Sequence, residues 1–481
     1  MAGFEPVIGL EVHTELNSES KVFCDDPNIF GAEPNTQVSP ISLGLPGTLP
    51  VLNKVSFEKA LRTAVALHCD ITRRTSFDRK HYYYPDLPKN YQISQDYDPL
   101  GRNGFVDLHL KDGQQKKIRI NNIHLEEDAG KLVHPTDPAS RGLSWVDLNR
   151  AGMPLLEIVT EPDIRNLEEM EVFMQTLRGI LRYLDVSDCK MQEGSLRFEV
   201  NLSMRPKGSD EFGTKVEVKN VGSIKAALRA AKYEIIRQTE ILESGGEVVQ
   251  QTCLWDDDKG ETRPMRYKED AQDYRYFPDP DLPPVAISEG WLNSVQNDLP
   301  ELQDAKRIRF IDQYGLPEYD AGVLVSDRTI ADYFETCCGL HSAPKTFSNW
   351  IMVEVLRELQ NREIEIDECP LTPKRLVELV KLVEGGTISN NIAKEVLLDV
   401  METGKSPSEV VEEKGLKQES DEGALLAIIQ EVIEENPGPA EEFRSGKEKA
   451  IGFLMGQVMK KTQGKANPGV CKPLLEKQLR S

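Results

Sequence analysis

Arg197-Phe198-Glu199-Val200-Asn201-Leu202-Ser203-Met204 alternates without a break. Phe198, Val200, Leu202 and Met204 fall on one side, and Arg197, Glu199, Asn201 and Ser203 on the other. Successive side chains of a β-strand point to opposite faces, so one face of this segment is built for a core and the other for charge. The rhythm recurs elsewhere. Leu10 and Val12 oppose Glu11 and His13, Leu156 and Ile158 flank Glu157, and Val216 and Val218 oppose Glu217 and Lys219. One-sided alternation marks a mainly antiparallel sheet with one buried face. The polar faces carry acids, Asn, Lys and Arg, with few of the Thr residues usual on solvated strands. A charged concave face fits this composition, and so does an ordinary solvated sheet face.

Helical spacing interrupts the strands at 56–68, at 167–184 (Met170, Phe173, Leu177, Ile180, Leu181, Leu184) and at 223–243, which Gly245-Gly246 ends. The first 290 or so residues therefore read as α+β. From about 298 the pattern is helical. Thr372-Pro373 opens a helix to Glu384, Gly385-Gly386 closes it, and Ser389 or Asn390 opens another to about Glu402. Gly404-Lys405-Ser406-Pro407-Ser408 reads as a linker before a last small helical unit punctuated by Pro437-Gly438-Pro439. The expected boundaries are 1–295, 296–405 and 406–481.

Composition narrows the classes. The chain has 481 residues, 39% of them hydrophobic, which is enough for several cores. No basic start precedes an apolar run, and no stretch approaches the length of a membrane span, so a cytoplasmic protein without membrane segments is expected. Eight scattered cysteines without a C-x-x-C pair read as reduced thiols. Cys69 and Cys253 read as packing residues, and the Cys337-Cys338 pair as structural. A net charge of −22 argues against coating nucleic acid by bulk electrostatics. From Arg444 onward, however, nine Lys or Arg stand against two Glu, so nucleic-acid contact is expected there if anywhere. A solvated basic helix would look the same.

The densest chemistry lies in His124-Leu125-Glu126-Glu127-Asp128-Ala129-Gly130-Lys131, just after the alternating Ile118 and Ile120. Three adjacent carboxylates repel one another, so a divalent metal, a lysine or open water should be near. Glu11-Val12-His13-Thr14-Glu15 is a second acid-histidine set. Glu11, His13, Glu126, Glu127, Glu157 and Glu199 together suit Mg²⁺, and one histidine among acids also suits Mn²⁺. In the run from Phe77 to Lys89, strand alternation would put Lys80, Tyr82 and Tyr84 on one face, where a lysine beside aromatics holds a phosphate and stacks a base. Packing at a core rim is the plainer reading. Lys215, Lys219 and Arg275 are further cations able to offset charge on a transferring phosphoryl group. No P-loop, G-x-G-x-x-G or G-x-S-x-G is present, and no cysteine reads as a nucleophile. Gly456 to Pro468 ends a helix in a turn with Lys460, Lys461 and Lys465, a presentation suited to phosphates.

These residues resemble a known family, GatB, the B subunit of the aspartyl/glutamyl-tRNA amidotransferase. The resemblance runs in order along nearly the whole chain. It includes Val7 to Leu16, Phe30 to Asn35, Pro46 to Asn53, Tyr82 to Pro85, Tyr91 to Gln95, His124 to Lys131, Val146 to Arg150, Glu193 to Arg197, Asp273 to Leu282 and Gly464 to Pro468. It implies an antiparallel-sheet catalytic cradle, an all-helical linker domain and a helical tail domain. The cradle would bind ATP and Mg²⁺ and phosphorylate the side-chain carboxylate of a misacylated Glu-tRNA(Gln) or Asp-tRNA(Asn). A partner amidase (glutaminase) would supply ammonia from glutamine, and a small third protein would brace the pair in a heterotrimer.

By the resemblance, Glu11, His13, Glu126 and Glu157 fall where the metal site is expected. The expected catalytic set is Glu126, Glu157, Lys80 and Lys219. ATP would meet Lys80, Tyr82, Tyr84, Lys89, Glu199 and Arg275, and the tRNA would meet Lys460, Lys461 and Lys465. The choice of ligands among Glu126, Glu127, Glu157, Glu199 and Glu217 stays open. Some members of the family carry four zinc-binding cysteines after the first strand. Here only Cys24 remains, with Asp26, Ser39 and Ser42 where the other ligands would stand. One soft ligand does not hold structural Zn²⁺, so no zinc is expected and the loop must rely on packing and hydrogen bonds. Two other readings compete: a tRNA-binding scaffold with structural acids, and a stand-alone metal-dependent hydrolase, against which the basic tail argues.

Overall fold

A computed structural model describes residues 3–135, 140, 142–267, 274–362, 364–417, 422–447, 449–462, 466 and 468–480. The chain divides into two compact units, Met1–Leu302 and Gln303–Ser481.

The strands of the first unit are, in order, β1 (Phe4–Glu15), β2 (Asp70–Ile71), β3 (Arg74–Thr75), β4 (Asp78–His81), β5 (Tyr91–Ser94), β6 (Gly101–His109), β7 (Gln115–Glu127), β8 (Lys131–Val133), β9 (Trp145–Asp147), β10 (Pro154–Thr160), β11 (Leu196–Pro206), β12 (Val216–Val221), β13 (Gln251–Asp256), β14 (Glu261–Tyr267), β15 (Arg275–Pro278) and β16 (Val285–Ala286). Nine of them make one sheet in the order β14-β13-β12-β11-β1-β10-β7-β6-β2. All its pairs are antiparallel except β12 with β13. A separate three-stranded sheet runs β15-β4-β5.

Three helices cover the apolar face: α1 (Lys54–Ala66), α2 (Leu167–Tyr183) and α3 (Ile224–Glu243). Their starts follow the capping rule, with an Asn or Ser side chain accepting the first free backbone N–H groups. Asn53 accepts from Val55 and Ser56, Asn166 from Glu169, and Ser223 from Ala226. The helices bury Phe57, Phe173, Leu177 and Ala230 against Leu10, Val12, Phe198, Val200 and Ile158 of the sheet. This is the apolar side of the alternation. With that face in the core, the period of two forces Glu11, His13, Glu157, Glu199 and Glu217 to the other.

The second unit is helical and has two separate apolar cores. One gathers Phe310 to Val411, and the other Leu425 to Leu479. The segment read as a linker is ordered: Ser406 caps the helix Pro407–Glu413 in a capping box with Glu409. Val410 and Val411 of that helix pack into the first of the two cores, so the last core starts beyond the expected boundary at 406. Vicinal Cys337 and Cys338 lie in the helix Arg328–Leu340, and all eight cysteines are free.

Candidate active site on the acidic sheet face

Four strands converge at the centre of the main sheet. Register sets Arg197 of β11, His13 of β1, Glu157 of β10 and His124 of β7 in one row. The row below holds Glu11 beside Glu199, and the row above ends in Glu126. Glu157 joins the two histidines: its Oε2 lies 3.4 Å from His13 Nε2 and 3.2 Å from His124 Nε2. His124 Nε2 is also 3.7 Å from Glu126, which accepts a 3.1 Å hydrogen bond from Ser94 Oγ. A second group sits beside the first. Asn201 donates to Glu11 at 2.9 Å, and Lys219 Nζ lies 2.5 Å from Glu199 and 3.0 Å from Glu217.

Electrostatics follow from crowding and burial. Burial pushes the Glu11 carboxyl up, and the charges of Glu157, Glu199 and Glu217 add to it. Burial alone would lower His124, but Glu157 and Glu126 overcome it and raise the imidazole to about 10. His13 is raised in the same way, mainly by Glu157 acting against burial. Burial opposes ionisation of Glu157, yet His124 and His13 hold it well below the usual carboxylate range.

Two triads, His13-Glu126-Glu157 and Glu11-Glu199-Glu217, each bring ligand atoms within 4.8 Å of one another. Five carboxylates and one imidazole form a hard donor set suited to Mg²⁺ or Mn²⁺. Buried His13 Nδ1 and Asn201 Oδ1 have no partner among the described residues, so both retain capacity for a ligand.

The three-stranded sheet adds a wall. Lys80 pairs across it with Tyr276 and Gln92. Burial would lower the Lys80 ammonium, but Glu126 prevails and, with Tyr276 and Glu157, holds it well above its usual value. Tyr82 and Tyr276 are pushed up mainly by burial and share the field of Glu126. Lys80 Nζ lies 5.1 Å from the Tyr274 ring, within cation–π range.

The structure thus brings Glu11, His13, Glu126, Glu157, Glu199, Glu217, Lys80, Tyr82 and Lys219 together. Others it sends elsewhere. β4 ends at His81, so Tyr84 is no strand residue, and it is 53% exposed. Glu127 points to the opposite face from Glu126 and pairs with Lys89 at 2.5 Å. That contact commits Lys89 to a carboxylate. Arg275 stands in register with His81, one residue out of step with Lys80, so alternation directs it away from the acids. Its neighbours Tyr274 and Tyr276 face the site instead. Sequence reasoning assigned no role to His124, although the alternation that selects Glu126 selects it too. Ser94, Asn201 and Tyr276 were also missed.

In the last core, Lys460 is exposed, whereas Lys461 is held by Glu431 at 2.8 Å and Glu435 at 2.7 Å. Lys465 lies outside the described residues.

The four positions at which some family members carry zinc-binding cysteines do meet. The Asp26 carboxylate accepts from Ser39 N at 3.0 Å and is hydrogen-bonded to Ser42 and the Cys24 thiol. Burial pushes that thiol up to about 11. Hydrogen bonds therefore close this loop. The turn after β7 is closed by backbone: a Cβ on Gly130 would lie 2.8 Å from Asp147 O and 3.0 Å from Asp86 O, so only glycine fits.

An acid-lined, mainly antiparallel sheet followed by separate helical cores defines a multidomain α+β chain rather than a P-loop or dinucleotide-binding fold. Comparison with known proteins makes this specific. Residues 6–293 match the family described as the GatB/GatE catalytic domain, and residues 332–479 match the GatB domain. A protein of Caldanaerobacter subterraneus subsp. tengcongensis, named as the B subunit of aspartyl/glutamyl-tRNA(Asn/Gln) amidotransferase, is 54% identical over 477 residues, 99% of each chain. Proteins of that name from Moorella thermoacetica and Carboxydothermus hydrogenoformans are 54% and 51% identical, over at least 99% of both chains. The chain belongs to this GatB family of amidotransferase subunits, which makes it a component of an enzyme. Among the described residues, no helix is long and apolar enough to cross a membrane.

Proposed function

We propose that this chain carries the site where ATP phosphorylates the side-chain carboxylate of a misacylated Glu-tRNA(Gln) or Asp-tRNA(Asn), and where ammonia then displaces phosphate to leave the amide. Its relatives are named for aspartyl/glutamyl-tRNA(Asn/Gln) amidotransferase. The observation that carries the reading is the grouping of two acid triads with Lys80 and Lys219 on one sheet face.

A carboxylate resists ammonia because its leaving group would be oxide, and phosphorylation replaces that with phosphate. The catalytic need is then positioning and charge compensation, with no covalent nucleophile. His13, Glu126 and Glu157, with Glu11, Glu199 and Glu217, would hold Mg²⁺, which neutralises phosphate oxygens when bound. Lys80 keeps its proton under the field of Glu126 and Glu157 and adds fixed positive charge. Lys219 draws Glu199 and Glu217 together and tempers their repulsion. Tyr82, Tyr274 and Tyr276 wall the site and exclude water, protecting an acyl phosphate from hydrolysis.

Ammonia would come from a glutamine-hydrolysing amidase, braced by a small third protein, in a cytoplasmic heterotrimer. Exposed Lys460 is the best-supported tRNA contact in the tail. A tRNA-binding scaffold with purely structural acids is the second reading, and the basic tail favours it.

The test is ADP formation by the full chain co-expressed with its partner subunits, given ATP, Mg²⁺ and ammonia, with and without Glu-tRNA(Gln). ADP release that needs the charged tRNA and is lost in Glu126→Ala and Lys80→Met supports the reading. Equal ADP release with uncharged tRNA, or an unaffected Glu126→Ala, refutes it.

A further inference from the structure

The three-stranded sheet has a second face that the acid site does not use. Lys80, Tyr276 and Gln92 turn inward, so the residues between them take the other face: Arg79 and His81 of β4, Tyr91 and Ile93 of β5, and Arg275 and Phe277 of the edge strand β15, with Ile93 packed into the core and Arg275 and Phe277 exposed at the edge. They form a ladder. The Arg79 guanidinium lies 4.3 Å from the Tyr91 ring and 5.9 Å from that of Phe277, while Asp279 and Asp281 each hold it at 2.8 Å. His81 stacks on Phe277 with centroids 4.7 Å apart and planes 20° apart, and its Nδ1 is fixed by Arg275 O at 2.8 Å. Phe277 is thus stacked on His81, and the residue remains 43% exposed. Arg275, two residues along the same face, is exposed, and among the described residues no acid pairs with its guanidinium.

A stacked, half-exposed ring beside an exposed arginine suits an unpaired nucleotide: the base stacks and the phosphate meets the cation. A protein partner fits less well. Arg79 is already neutralised, and one exposed ring offers little of the apolar area a protein interface buries. We propose that this outer face takes an unpaired base from the end of the substrate RNA, stacked on Phe277 with its phosphate at Arg275. The inference rests on the tRNA reading above. It gives Arg275 a place on the path to the acid site rather than in it, since the two faces belong to one thin sheet.

The test uses the full chain with its co-expressed subunits and a tRNA carrying 2-aminopurine at its unpaired 3′ terminus. Fluorescence should be quenched on binding, recover in Phe277→Ala and stay quenched in Phe277→Trp. Affinity in Phe277→Ala should fall by about fivefold or more, the range of one base–aromatic stack. A tRNA trimmed of its unpaired nucleotides should bind both forms equally. Arg275→Gln should reduce the salt slope by about 0.7, the value for one single-strand phosphate.

Fluorescence indifferent to Phe277, or an equal loss of affinity for the trimmed tRNA, overturns the proposal. So does a Phe277→Ala variant that sheds one of its protein partners with fluorescence unchanged, which would make this a protein interface. Charged-tRNA-dependent ADP formation is read in the same samples. If it persists while fluorescence ignores Phe277, only the platform is wrong. If it never depends on the charged tRNA, the functional reading fails and this one with it.

Discussion

Replacing Glu15 by glutamine should stabilise the first unit at neutral pH and leave it unchanged near pH 4.5. Glu15 ends β1 and is hydrogen-bonded to Asp128, which Arg197 holds at 3.0 Å and Arg150 at 3.5 Å. The arginines therefore keep the charge on Asp128, and Glu15 keeps the proton. Burial, then the charge of Asp128, push Glu15 from 4.5 up to about 8. Below pH 4.5 both the folded and unfolded chains are protonated there, and nothing is lost. As pH rises from 4.5 to 8, the unfolded chain ionises while the folded one does not, so stability falls through that window. At about 1.4 kcal/mol per pH unit, Glu15 removes roughly 3 kcal/mol by pH 7. Glutamine keeps the shape and still donates to Asp128, but cannot ionise. The assay is hydrogen-exchange protection of β1 and β11 peptides between pH 4.5 and 8, with a chelator present. Native protection should fall relative to the variant as pH rises. Parallel curves would refute the argument, since other titrating groups are common to both proteins.

Three further outcomes are expected. Lys219→Met leaves Glu199 and Glu217 without the ammonium between them, so Mn²⁺ should bind the nucleotide-free protein more tightly than it binds native protein, read by calorimetry; equal affinity would separate this triad from cation binding. Glu234, fully buried, accepts from Arg237, Gln238 and Thr262, so Glu234→Ala should cost about 3 kcal/mol and first expose the β14 edge to hydrogen exchange. Asp26→Ala removes one of the two acceptors of Ser39 N together with the carboxylate that Ser42 and the Cys24 thiol meet, and should cost about 1–3 kcal/mol, with exchange rising across 24–42 and not in α2.

Where local chemistry suffices, the structure was legible in the sequence. The Arg197–Met204 alternation lies within β11, and helices expected at 167–184 and 223–243 stand at Leu167–Tyr183 and Ile224–Glu243, because a cap and a period are local. Thr372-Pro373 and Ser389 likewise open Pro373–Glu384 and Asn390–Thr403. The strand rhythm also put Glu11, His13, Glu157 and Glu199 on one face. Illegible parts depended on distant pairing. Whether Arg275 or its neighbours face the acids is set by register with β4, some 194 residues away. The end of β4 before Tyr82 is set by where β5 and β15 begin, at Tyr91 and Arg275. Gly404, Ser406 and Pro407 are loop-forming residues and suggest a linker, yet the same Ser-Pro pair with Glu409 is a helix start.

The central strand has a consequence for how the chain is made. Among the named strands β1 pairs with β10 and β11, whose residues are Pro154–Thr160 and Leu196–Pro206, and it adds one bridge to Ile164. At about 5–20 residues per second, the ribosome needs roughly 10–40 s to supply them after β1 emerges. Throughout that interval Val7, Ile8, Leu10 and Val12 lie on a strand with two unsatisfied edges. The first unit cannot close early in synthesis, and its opening segment is the part of the nascent chain most exposed to mispairing with another copy.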